Sequence, residues 1–156
     1  MKKILDVCCG SRMFYFDKNN ENVQYNDIRT LEETLCDGRE LVIDPETKWD
    51  FTNLPCEENQ YKLVIFDPPH LKTIGENSWM AKKYGKLPYE WEMFIKRGFD
   101  ECMRVLEPFG ILIFKWNETD ITQNELFDCI GKKPLLGNKG IGNKTHWYIF
   151  IKEEKQ

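Results

Sequence analysis

The chain has 156 residues, 41% of them hydrophobic and 31% charged, with a net charge of -4. These proportions suit one domain, residues 1–156, that buries a core and stays soluble; the longest apolar runs, LVIF and ILIF, are far too short to span a bilayer. The negative balance argues against a protein that binds nucleic acid through its whole surface, and leaves room for a local basic patch.

The amino-terminal MKKILDV turns acidic at Asp6 and lacks the apolar core of a signal peptide, so no targeting segment is expected. Residues 2–9 are rich in strand formers and end in Gly10-Ser11. Residues 11–18 are expected to turn into a short helix. Residues 22–28 read as a second strand ending in Asp27. Residues 30–38, TLEETLCDG, have the marks of a helix: Thr30 caps it, Glu33 completes a capping box, and Gly38 stops it. KLVIFD, residues 62–67, is a strongly apolar strand. Residues 89–106 carry Trp91, Phe94, Ile95, Phe99, Cys102, Val105 and Leu106 near helical spacing, with Pro108 and Gly110 beyond. A strand over 110–116, a helix over 123–130 and a last strand over 145–152 complete the order.

Strands alternate with helices, and three strands are nearly continuous apolar runs. That pattern fits an open α/β sheet covered on both faces. Ligands of such sheets sit beyond the carboxyl ends of the strands, so the residues just after each strand carry the functional reading.

After the first strand comes DVCCGSR. Gly10 lets backbone N–H groups approach a ligand closely; Arg12 stands where a dinucleotide fingerprint has its second glycine. Asp27 lies 21 residues beyond Asp6, placed to accept both hydroxyls of a ribose; taken alone it reads better as a solvated loop acid. Asp50 and Phe51 could meet an adenine amino group and ring; a surface acid beside a core phenylalanine is an equal reading. After the apolar strand comes DPPH. A Pro-Pro pair has fixed φ and no N–H donors, so Asp67 and the Pro68 carbonyl could grip an amino group through its two hydrogens, with His70 supplying a flat ring. A rigid turn capped by Asp67 is the competing reading.

Six cysteines form no CxxC pair and only two histidines occur, so no metal site is expected, and reduced thiols point to the cytoplasm. Residues 71–87 carry Lys72, Lys82, Lys83 and Lys86 with Trp79 and Tyr84 among them. Such a segment can track phosphates and stack bases, or close as a lid, or be a solvated loop. Residues 131–146 form a second basic stretch, with Lys132, Lys133, Lys139 and Lys144 and no acid. Lys115, Trp116 and Asn117 end the fifth strand beside the expected acceptor pocket, with core packing an equal reading for Trp116; Trp147 and Tyr148 read as core.

These strand ends together resemble the class I S-adenosylmethionine-dependent methyltransferases, from Lys3 to the final strand. LDVCCGSR is similar to their methionine-binding motif, which implies Asp6, Cys8, Gly10 and Ser11 as cofactor contacts. Asp27 matches the ribose acid, and Asp50 and Phe51 the adenine loop. DPPH is similar to the Asp/Asn-Pro-Pro-aromatic signature of amino-group methyltransferases. It implies catalytic roles for Asp67, Pro68, Pro69 and His70, with Asp67 also bordering the cofactor, and substrate contacts at Lys72, Trp79, Lys82, Lys83 and Lys115. The chain also resembles small methyltransferases carried by bacteriophages. The resemblance implies S-adenosylmethionine as cofactor and methylation of DNA or RNA, adenine favoured. A protein glutamine amide, a small molecule, or a silent cofactor-binding protein are the alternatives. The chain has no added target-recognition domain, which points to a short, structured target or one presented by an accessory protein.

Overall fold

A computed structural model describes residues 1–138 and 142–154; Lys139 of the second basic stretch lies outside them. Six strands make the main sheet: β1 (Ile4–Asp6), β2 (Val23–Tyr25), β5 (Tyr61–Phe66), β6 (Leu106–Asn117), β7 (Leu136–Gly137) and β8 (Thr145–Ile151). A separate hairpin holds β3 (Leu31–Thr34) and β4 (Glu40–Ile43). The sheet order is β2-β1-β5-β6-β8-β7. The first four of these run parallel, and β8 and β7 pair antiparallel. The parallel part is the open α/β sheet that the alternation of elements predicts, and the antiparallel carboxyl-terminal strand is the one that the class I methyltransferase resemblance implies.

Three helices are α1 (Trp79–Tyr84), α2 (Trp91–Val105) and α3 (Gln123–Ile130). Thr122 and Glu125 form a reciprocal capping box on α3, and left-handed Gly131 ends it. On α2, Trp91, Ile95, Phe99, Cys102 and Val105 turn one buried stripe to the sheet. It meets the inward row Leu5, Val64, Phe66, Leu112, Phe114, Trp116, Tyr148 and Phe150 in one core, with Leu126 and Ile130 of α3. No helix among the described residues is long and apolar enough to cross a membrane.

Three expectations change. Residues 30–38 form no helix; they enter the β3–β4 hairpin, with Gly38 at φ +82° in its turn. The Asp37-Gly38 turn signal outweighs the capping box, because pairing lets Leu35, Leu41 and Ile43 bury one another. Residues 11–18 form turns only, since Arg12 is left-handed at φ +54° and cannot start a helix. Finally, the helices expected on both faces are not symmetric: α2 and α3 pack together on one face. On the other, the turns at 9–18 cover Val23 and Tyr25.

Candidate active site

The turn after β1 is built by two left-handed residues, Gly10 at φ +50° and Arg12 at φ +54°. Arg12 thus adopts the backbone that a second glycine would supply without strain. Its side chain compensates. The guanidinium lies 3.8 Å from the Tyr25 ring centroid and donates to the carbonyls of Lys18 and Asp44. Cys8 and Ser11 border a cavity that also touches Gly10, Arg29, Asp67, Pro68 and His70.

Asp6 stands behind this turn, not in the cavity. It is fully buried, accepting from the Cys8 amide at 3.3 Å and the Tyr15 hydroxyl at 2.7 Å. Burial pushes its pKa up to about 7. The folded state then keeps a proton that the unfolded chain releases near pH 4, so stability is lost as pH rises between those values. At about 1.4 kcal/mol per unit, the ceiling is about 4 kcal/mol. Asp6→Asn, which keeps the shape, is expected to raise the melting temperature by several degrees at pH 8. The gain should vanish near pH 4; a gain that is equal at both values would show that ionisation of Asp6 is not its source.

Asp27 is buried at the end of β2, held by its neighbour Asn26, whose amide bonds the Val7 and Trp49 carbonyls, the Trp49 amide and the Thr47 hydroxyl. The Asp27 carboxylate accepts from the Gly10 amide at 3.0 Å, so the acid and the turn are one unit. It also accepts three bonds from Arg29: its amide, Nε and Nη2. Four donors saturate a carboxylate. A ribose can bind Asp27 only when the Arg29 guanidinium withdraws.

Asp50 and Phe51 take the bland reading. Asp50 is exposed, and its carboxylate caps the Thr52 amide and hydroxyl. Phe51 is buried between Phe66 and Phe94, as centroid distances of 5.1 and 4.6 Å show. Its ring packs the core and is not offered to a base. The apolar surface free beside Asp27 is Ile28, 62% exposed.

DPPH leaves β5 between two cavities. The one toward the Gly10 turn and a second, of about 170 Å³, share Asp67, His70 and Tyr84. The second is completed by Leu71, Met80, Lys115, Trp116, Asn117 and Thr145, among others. An open cleft of about 760 Å³ lies on the hairpin side of Gly10, away from DPPH. Lys115 Nζ bonds Asp67 Oδ2 at 2.9 Å while sitting over Phe14 and Trp147, 5.4 and 5.6 Å from their centroids. Burial raises the Asp67 pKa, and the Lys115 ammonium opposes that rise. Burial also lowers the pKa of His70, with Lys115 adding to the effect and the Pro68 carbonyl opposing it. Its ring lies 5.9 Å from Tyr84 and 6.3 Å from Trp116. His70 is therefore a wall shared by both cavities.

The basic segment divides. Lys83 borders the Gly10 cavity and lies 5.1 Å from the Tyr84 ring, with the half-exposed Trp79 beyond at 6.0 Å. Lys82 pairs with Glu33 of the hairpin at 2.6 Å, and Arg29 Nη1 donates to the Lys82 carbonyl. Lys72 turns away, over Trp91, toward a different groove. Trp116 is core, its indole donating to the Ile121 carbonyl. Tyr148 is core as expected, whereas Trp147 is half-buried beside Lys115. Sequence reasoning missed Arg29, Phe14, Tyr15 and Asp120. Asp120 accepts from the Lys72 and Thr73 amides and fixes the exit of DPPH. Only Arg29 had a signal, its place two residues after the ribose-type acid.

The strand order, with its antiparallel carboxyl-terminal strand, is the α/β fold that solved SAM-dependent methyltransferases share. Over 97% of this chain and 80% of the other, the structure matches a TehB-like SAM-dependent methyltransferase from Corynebacterium glutamicum, at 13% identity and a TM-score of 0.58. It also matches a protein of Pyrococcus horikoshii at 16% identity and 0.59, covering 96% of this chain and 81% of that one. A SAM-dependent methyltransferase of Methanosarcina mazei matches at 11% and 0.54, with 99% and 95% covered. No family model matches the sequence, and neither does any curated protein.

Proposed function

We propose that the protein is an S-adenosylmethionine-dependent methyltransferase acting on an exocyclic amine of a nucleic-acid base, adenine favoured. One observation carries the reading: Asp67 and His70 stand between the cavity on the glycine turn, which Pro68 also lines, and a separate cavity beside Tyr84.

The donor set fits the cofactor. Asp27, once released by Arg29, accepts the ribose hydroxyls, the Gly10–Ser11 backbone faces the methionine end, and Ile28 offers an apolar surface to the adenine. Bound there, S-adenosylmethionine supplies a methyl group on a sulfonium. The protein's own work is on the acceptor. An exocyclic amine is a poor nucleophile because its lone pair is delocalised into the ring. Accepting its two N–H groups at Asp67 and the Pro68 carbonyl favours a pyramidal nitrogen and aims its lone pair across the partition. His70 and Tyr84 flank the ring, with the buried Trp116 behind His70. Lys115 can donate to the ring nitrogen next to the amine. A base in a duplex has to be flipped or presented single-stranded to enter.

The runner-up, a glutamine amide or a small molecule, draws support from the basic segment. Lys72 points elsewhere and Lys82 is paired with Glu33, so fewer lysines are free for phosphates than the sequence promised. An amide offers the same donor pair beside an acceptor oxygen. The reading also takes the protein to be cytoplasmic, with an accessory protein presenting the target and a likeness to small phage-type enzymes.

Two measurements test this. S-adenosylmethionine at saturation is expected to raise the melting temperature; no rise would count against the whole reading. Labelled methyl transfer is expected on DNA or RNA and not on a protein lysate. Transfer to protein alone would install the runner-up, and binding without transfer to any of them would leave a silent cofactor-binding protein.

A further inference from the structure

Asp67 already holds an amine. Lys115 Nζ, at the end of β6, donates to its Oδ2 at 2.9 Å, and the two side chains are only 19% and 17% exposed. Both line the cavity beside Tyr84, and Asp67 also borders the cavity on the glycine turn. The bond is of the kind that the acceptor amine makes in the proposed reaction, and to the same carboxylate. Two rings flank the ammonium, Phe14 at 5.4 Å and Trp147 at 5.6 Å, and they meet each other edge to face. Aromatic faces hold ammonium groups, methylated ones included. Lys83 also borders the glycine-turn cavity, but it stands over Tyr84 and not on Asp67.

Nucleophilicity selects the same atom. A lysine amine that has lost its proton keeps its lone pair on nitrogen, whereas that of an exocyclic base amine is delocalised into the ring. As part of the chain, it is also presented at the high effective concentration of an intramolecular group.

We infer that Lys115 is a second methyl acceptor of this site, methylated by its own chain while no other amine is gripped by Asp67. The inference rests on the methyltransferase reading of the site and adds an acceptor to it. The ammonium first passes one proton to the Asp67 carboxylate, and it yields that proton more readily when a second cation, the sulfonium, stands across the acid. The Nζ lone pair then bonds to the methyl carbon while the carbon–sulfur bond breaks, its electron pair returning to sulfur. The products are a methylammonium on Lys115, a thioether and a proton that Asp67 releases to water. The methylated nitrogen keeps its charge and two N–H groups, so its bond to Asp67 survives the step.

Incubating the protein with methyl-labelled S-adenosylmethionine and no acceptor, then mapping its peptides by mass spectrometry, tests this. The peptide that holds Lys115 is expected to gain one CH2, and the gain to fall at least tenfold in Asp67→Ala. A second readout needs no cofactor. Acetic anhydride labels amines, and Asp67→Ala is expected to raise acetylation of Lys115 several-fold, because the amine is released from its acid. The two readouts thus move in opposite directions, which a merely structural ion pair would not produce. If Asp67→Ala fails to fold, mapping of the wild type carries the test alone. A rise in melting temperature with S-adenosylmethionine but no label on Lys115 overturns the inference and leaves the methyltransferase reading standing. Label on Lys83 in place of Lys115 also overturns it, because the grip of Asp67 then does not choose the amine. So does acetylation that Asp67→Ala leaves unchanged. No cofactor binding at all overturns both readings.

Discussion

Replacing Asp67 with alanine is expected to lower methyl transfer by about 10³-fold or more while changing cofactor affinity less than about threefold. Preorganised hydrogen-bond partners at a reacting centre account for factors of about 10² to 10³ each, and the acceptor also loses its orientation. The cofactor keeps Gly10 and Asp27, which do not depend on Asp67. Asp67→Asn separates charge from shape and is expected to retain part of the activity. Lys115→Met is the companion. The ammonium opposes the burial that raises the Asp67 pKa. Its removal lets that pKa rise further, so the acid limb of the pH–rate profile moves to higher pH. Activity then falls more at pH 6 than at pH 9. Normal turnover by Asp67→Ala would remove Asp67 from the reaction altogether.

The second large effect concerns the ribose acid. Asp27→Ala is expected to weaken S-adenosylmethionine binding by at least about 100-fold, since two hydrogen bonds to a charged acceptor are worth about 1.5–3 kcal/mol each. Arg29→Ala is expected to act in the opposite direction. The Arg29 guanidinium fills two of the four bonding positions on Asp27, so the cofactor competes with it for the carboxylate. Removing the guanidinium ends that competition and tightens binding several-fold. Titration calorimetry on both variants reads the two signs. A loss with Arg29→Ala as large as that with Asp27→Ala would mean that Arg29 itself holds the cofactor, and the competition would be refuted. Arg29 also donates to the Lys82 carbonyl, and Gly85 packs on Pro69. Its withdrawal therefore loosens α1 from the hairpin side of the site.

Much of this protein is legible in its sequence. Strong periodicity marks α2, and a capping box with a closing glycine marks α3, because both signals are local. The apolar runs of β5, β6 and β8 declare strands buried among neighbours, and DPPH declares its own stiffness. The glycine turn and Asp27 stand at the spacing that a nucleotide site needs. What the sequence left open depends on partners distant in the chain. Residues 30–38 carry a helical cap and a hairpin turn at once, and only the burial of Leu41 and Ile43 against Leu35 selects the hairpin. Phe51 reads equally as adenine contact or core; packing against Phe66 and Phe94 makes it core. Arg12 stands at a glycine's position, and its stacking on Tyr25 holds the left-handed backbone there. Local propensity and spacing thus determined the elements and the acids at their ends. Which donors each acid meets, which rings reach a pocket and which face of the sheet the helices cover are long-range contacts, and only the tertiary structure decides them.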